Sequence, residues 1–135
     1  MTNMSLAQSY LAKARARLKI LPIFQESGDY SDVVREAQEA VELALKGMLR
    51  FVGVEPPKWH DVRPLLMEKG AKFPAVDHKT LQRLSEISAS LRKERELAFY
   101  GDEEHVPTEE FGLQDGQRAL DYAKFVVAVA QGVIV

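Results

Sequence analysis

The apolar positions of this chain recur at three- and four-residue intervals almost from end to end, the period of helices with one buried stripe. Leu6, Tyr10, Ala14, Leu18 and Leu21 trace the first stripe. Pro22 follows; it cannot donate to residue 18 and is expected to interrupt or kink this helix. Ser27-Gly28-Asp29 reads as a turn, with Asp29 as N-cap of a second helix. Tyr30, Val33, Ala37, Val41, Ala44, Met48 and Phe51 form that helix's unbroken stripe; Gly53 ends it and Pro56-Pro57 prevents its continuation. A linker over residues 54–60 leads to a short helix over about residues 61–69, stopped by Gly70. Asp77 caps the next long helix, which runs through Leu81, Leu84, Ile87, Leu91 and Ala98 and stops near Tyr100-Gly101. Residues 102–115 read as polar and turn-rich. A last helix from Gly116 to about Gln131 is apolar on most sides, which predicts a central place in the bundle or burial against a second subunit.

Four long helices, one short helix and mostly short loops predict an all-α, up-and-down four-helix bundle over residues 1–135 as a single domain. No segment alternates for long enough to be a strand.

Composition narrows the chemistry. There is no cysteine, which excludes disulfides, thiolate nucleophiles and cysteine–zinc sites. The first ten residues lack a basic start followed by an apolar block, and the longest apolar run, residues 125–130, is far short of the roughly 20 residues that span a bilayer. A cytoplasmic protein with no membrane partner is expected. The net charge is −2, but residues 1–25 carry Lys13, Arg15, Arg17 and Lys19 and no acid, so the remainder carries −6. This basic first helix either pairs with acidic neighbours in the bundle or attracts a polyanion.

Glu36, Glu39 and Glu42 spread over about 120° of the second helix and read as a solvated face, not as metal ligands. His60, His78 and His105 are far apart and fit no ligand motif, so neither metal nor cofactor is expected. Trp59-His60 is expected to pack the linker down, and Asp61 to cap the short helix. One residue breaks the pattern. Arg95 falls about 20° from Leu84 around its helix, inside the apolar stripe, with Arg92 on the flank at about 80°. Such a guanidinium must be paired, must snorkel, or must face a cleft or a subunit seam. The pair either presents planar donors to a phosphate or forms ion pairs with acids of another helix.

Gly28-Asp29-Tyr30-Ser31, Ala37-Gln38-Glu39-Ala40-Val41-Glu42 with Ala44-Leu45-Lys46, Trp59-His60-Asp61-Val62, and Arg95-Glu96-Leu97-Ala98-Phe99-Tyr100-Gly101-Asp102 follow one another in an order that resembles the HEPN domain (higher eukaryotes and prokaryotes nucleotide-binding). The resemblance covers nearly the whole chain. It implies a helical bundle, commonly a homodimer, often encoded beside a minimal nucleotidyltransferase, with many members acting as metal-independent RNases or as toxins of toxin–antitoxin pairs. Active members carry an Arg, four to six residues, then a His. Arg95 matches the Arg, but Tyr100, Gly101 and Asp102 occupy the places allowed for the His, and His105 lies beyond them. Cleavage by a 2′-hydroxyl needs a group that exchanges protons near neutrality, and Tyr, with a reference pKa of about 10, is a poor substitute.

The resulting expectation is a HEPN-type domain that binds nucleotide, RNA or a nucleotidyltransferase partner, one half of a toxin–antitoxin-like pair with a degenerate RNase motif. Arg92 and Arg95 would hold phosphate, Tyr100 would donate a hydrogen bond or stack on a base, and Lys13, Arg15, Arg17 and Lys19 would attract the polyanion. The alternatives are an active metal-independent RNase in which Tyr100 or His60 replaces the missing His, with Arg95 and Tyr100 as catalytic candidates, and a non-catalytic scaffold for a protein partner.

Overall fold

A computed structural model describes residues 2–58 and 61–135; Met1, Trp59 and His60 lie outside it, as do the side chains of residues 2, 3, 95–97 and 99. Every regular element among the described residues is a helix: α1 (Thr2–Glu26), α2 (Tyr30–Phe51), α3 (Arg63–Glu68), α4 (His78–Phe99), α5 (Pro107–Glu110) and α6 (Leu113–Val133), with a 3₁₀ turn at Gly70–Lys72.

The helix ends follow from local chemistry. α1 closes with Gly28 in the left-handed region at φ +80°; Gly28 N–H donates to Gln25 C=O (3.2 Å) and Asp29 N–H to Phe24 C=O (2.9 Å), which satisfies two orphan carbonyls. Gly53, at φ +81°, ends α2 the same way, with Val54 N–H donating to Leu49 C=O at 2.9 Å. Asp77 Oδ1 accepts from Thr80 N–H at 2.7 Å and caps α4. Asp29 occupies the N-cap of α2, but its carbonyl, not its side chain, takes up the first N–H groups.

Three expectations about elements need correction. Pro22 lies inside α1, which continues through it to Glu26. A proline removes one hydrogen bond, and here Leu21 and the turns around it are held by packing on α2. Residues 102–115 contain α5, and α6 starts three residues before Gly116 because Asp115 Oδ2 accepts from Gly112 N–H at 2.8 Å and caps the first turn.

The central helix is α2, not the last one. It packs on α1, α4 and α6, and its buried residues occur on most of its circumference, Gln38 included. α6 buries Ala119, Leu120, Ala123, Val126, Val127 and Ala130 against α2 and α1, while Gln117, Arg118, Asp121 and Lys124 face outward. α4 rests on α2 through Leu84, Ile87 and Leu91 and scarcely meets α6. The bundle is therefore open along the α4–α6 side. Among the described residues no helix is long and apolar enough to cross a membrane.

Candidate functional site at the end of helix α4

The sequence directs attention to the C-terminal half of α4 and the loop that follows. Arg92 leaves the outer flank of α4 and places Nη1 3.0 Å from Glu42 Oε1 on α2. Its charge also reaches Asp61, just ahead of α3. Asp61 is clamped by Arg63, whose Nε and Nη2 both approach Oδ2, while Oδ1 accepts from Arg63 N–H at 3.0 Å; the N-cap position of α3 is Val62, not Asp61 as expected. Burial pushes the Asp61 carboxyl up, but the hydrogen bonds from Arg63 and the charges of Arg63 and Arg92 outweigh it and hold Asp61 below the ordinary aspartate value. Arg92 thus stands between two carboxylates, one on α2 and one at the start of α3. A phosphate that takes this guanidinium must displace Glu42 and approach Asp61.

Arg95 lies in α4, three residues on, and its side chain is outside the described set, as is His60. Tyr100 follows the helix and is 74% exposed. Gly101 then adopts φ +71°, and a Cβ there would overlap the His105 carbonyl oxygen and crowd Pro107 Cδ. The next four residues close on themselves. Asp102 N–H donates to His105 C=O (2.9 Å), His105 N–H donates back to Asp102 C=O (3.2 Å), and Asp102 Oδ1 accepts from the N–H groups of Glu104 and His105 at 2.9 and 2.8 Å. This turn sets His105 against Gly101 and Asp102, two of the places where the motif allows its histidine. His105 Nδ1 is shielded from solvent and lies 3.3 Å from Glu110 Oε1 of α5, without the alignment of a hydrogen bond. Linear spacing puts His105 too far from Arg95; the loop brings its backbone back. The Gly-Asp pair at 101–102 was the sequence signal for that return.

The basic face of α1 is partly committed. Arg17 Nε lies 3.8 Å from Glu36 Oε1 on α2, and its Nη1 donates to Lys13 C=O at 3.4 Å. With the Gln131 amide oriented so that its oxygen faces α1, Arg15 donates to it at 2.6 and 3.2 Å. Lys13 and Lys19 are exposed. Of the acids on α2, Glu36 also accepts from Arg35 Nη1 at 2.6 Å and Glu42 holds Arg92, so both act in ion pairs between or along helices. No group of three His, Asp or Glu among the described residues could hold a metal ion.

A second ionisable group marks the other flank of α4. Glu94 is raised above the ordinary glutamate value, first by burial and then by the nearby Asp115 charge, against the opposing pull of Arg118 and Lys93.

Curated proteins and solved structures contain no match to this chain. The model of one family, described as the HEPN domain, matches residues 7–133, from the first turns of α1 to the last residue of α6. With nearly the whole helical fold inside that match, the chain belongs to the HEPN domain family.

Proposed function

We propose that this chain is a single cytoplasmic HEPN-type domain, 1–135, that works as a homodimer and binds the phosphate of a nucleotide or RNA at the end of α4. Arg95 supplies the first guanidinium, Arg92 a second after leaving Glu42, and the exposed Tyr100 a ring or hydroxyl for the attached base. Lys13 and Lys19, exposed on α1, raise the local concentration of a polyanion. The observation that carries the reading is the tight loop at Gly101, which holds Tyr100 outward directly after the arginine-bearing half of α4. A minimal nucleotidyltransferase, in a toxin–antitoxin-like pair, is the protein partner that fits the family.

Titration with a short single-stranded RNA and with a mononucleotide tests the proposal. Arg95→Ala should weaken RNA binding about tenfold or more, and rising salt should weaken wild type, since contacts to phosphate are charge-assisted and release counterions. Absence of binding by wild type even at low salt overturns it.

RNase activity is expected to be absent or weak, because no histidine stands at the motif spacing and cleavage needs a group that exchanges protons near neutrality. One observation favours the rival reading, an active metal-independent RNase. The loop folds His105 back beside residues 101 and 102 and leaves Glu110 Oε1 3.3 Å from its Nδ1, close enough that a rotation of either side chain would let the carboxylate orient the imidazole. Robust cleavage by wild type that His105→Asn abolishes would establish that rival.

A further inference from the structure

The open side of the bundle contains a cleft that the reading above does not use. α4 and α6 both lie on α2 but scarcely meet, and the space between them measures about 540 Å³. Small-molecule sites typically occupy roughly 300–1,000 Å³. Ile87 of α4 forms the apolar floor, and the rings of Tyr122 and Phe125 stand on the α6 wall. Phe125 is 41% exposed, a large apolar surface facing an unfilled space.

Two guanidiniums converge on this cleft from opposite walls. Arg83 of α4 sits with its guanidinium carbon 5.2 Å from the centroid of the Tyr122 ring. Arg118 lies one turn before Tyr122 on α6 and lines the same space. Their acidic neighbours hold them loosely: Arg83 is 3.8 Å from Glu86 and Arg118 is 3.6 Å from Asp115, both between substantially exposed side chains three residues apart. Pairs of that kind contribute little, so either guanidinium can turn toward an incoming anion at small loss. Arg92 at 3.0 Å from Glu42, by contrast, is engaged. Asp121 adds a hydrogen-bond acceptor. One of its oxygens takes the Gln117 Nε2 donor at 3.0 Å, and the other can accept an N–H or O–H of a ligand.

Aromatic walls, convergent guanidiniums and one carboxylate acceptor define a ligand by its chemistry. We infer that the α4–α6 cleft is a second binding site, for a planar heteroaromatic molecule that carries one anionic group and hydrogen-bond donors, the size of a nucleoside monophosphate. The ring would lie against Tyr122 and Phe125, the anion between Arg83 and Arg118, and a donor on Asp121. This site is separate from the one at the end of α4. Nine residues separate Arg83 from Arg92, which on a helix places them on opposite flanks, about 180° apart.

Isothermal titration of the full chain with adenosine 5′-monophosphate tests the inference. Saturable binding is expected, with one site per chain retained in Arg95→Ala, which removes the site at the end of α4. Arg83→Gln and Arg118→Gln, both at half-exposed positions that leave the core untouched, should each weaken it about tenfold. Adenosine and inorganic phosphate should each bind at least about tenfold more weakly than the monophosphate, because each forfeits one half of the site. A short single-stranded RNA that competes with the monophosphate would identify a strand unit as the natural occupant; absence of competition would identify a free mononucleotide. The inference is overturned if the monophosphate does not bind saturably, if inorganic phosphate binds as well as it does, if Arg83→Gln and Arg118→Gln have no effect, or if Arg95→Ala abolishes the binding. Loss of RNA binding in Arg95→Ala with monophosphate binding kept separates the two sites.

Discussion

Gly28 and Gly101 share a left-handed backbone, at φ +80° and +71°, but differ in what surrounds them. A Cβ at Gly28 would meet nothing within 4 Å, whereas at Gly101 it would run into the His105 carbonyl and Pro107. Gly28→Ala should therefore cost only the conformational strain, about 1 kcal/mol, and Gly101→Ala that strain plus a steric term of roughly 1–3 kcal/mol. Urea unfolding of both variants checks this; equal losses would mean that the 101–105 turn gives way freely. Glu94 makes a prediction with a sign. Its folded pKa lies above the ordinary value near 4.5, so the charged form is disfavoured in the folded chain. Stability is then lost as pH rises through that window, and the penalty is complete above the folded pKa and absent below the ordinary value. Glu94→Gln should stabilise the chain at pH 7 and make no difference near pH 4, as read by thermal unfolding at the two pH values. Residue chemistry was legible wherever it was local. Asp77, Gly28 and Gly53 announce their caps within a few positions. The Arg92–Glu42 pair joins residues 50 apart, and only the packing of α4 on α2 selects Glu42 from the several acids available.

The stripes predicted the helices because their period is a property of each segment, but which helix sits at the centre is a property of their assembly. α6 is the more apolar along its length, yet α2 is central, because small residues let neighbours come close. Gly47 is the clearest instance. A Cβ there would meet Ala7 C=O and Tyr10 Cβ at 3.3 Å and Ile134 Cδ1 at 3.1 Å, so this one position lets α1 and the end of α6 close on α2 together. Gly47→Val should destabilise the fold by about 1–3 kcal/mol through overpacking, against a helix-propensity gain of only a few tenths, as measured by chemical denaturation. A neutral or stabilising result would show that α1 slides without loss. The same dependence on packing explains why Pro22, expected to interrupt or kink α1, does not interrupt it. It also explains α5, whose four residues are too few to leave a periodic signal but which turns through Pro107 at its first position and carries Glu110 to His105.

At the scale of the whole molecule, the proposed homodimer needs a face for its second copy. The apolar character of α6 predicts a dimer, and the fold weakens that ground, since α1 and α2 already bury half of its apolar residues. Exposed apolar side chains remain on α1, with Ile20 and, at 62% exposure, Ile23, and in two further regions. One is the cleft, with Phe125 and, at 60% exposure, Leu113; the other is the end of α4, with Tyr100 and, at 44%, Val106. If the cleft holds a small ligand, we place the proposed two-fold contact at the end of α4 and not on α1, because there it would also bring two copies of the Arg95–Tyr100 segment together. Such a contact repeats one patch on both subunits, so one substitution alters it twice. Sedimentation should show a dimer at micromolar concentration. Val106→Asp places two like charges in the seam, and its effect on association should be correspondingly large, with conversion to monomer. Phe125→Ser should leave the dimer intact while weakening ligand in the cleft. The opposite pattern, a monomer from Phe125→Ser and a dimer from Val106→Asp, would put the second copy in the cleft. Sedimentation of wild type as a monomer throughout would remove the dimer altogether and leave the end of α4 to bind RNA one chain at a time.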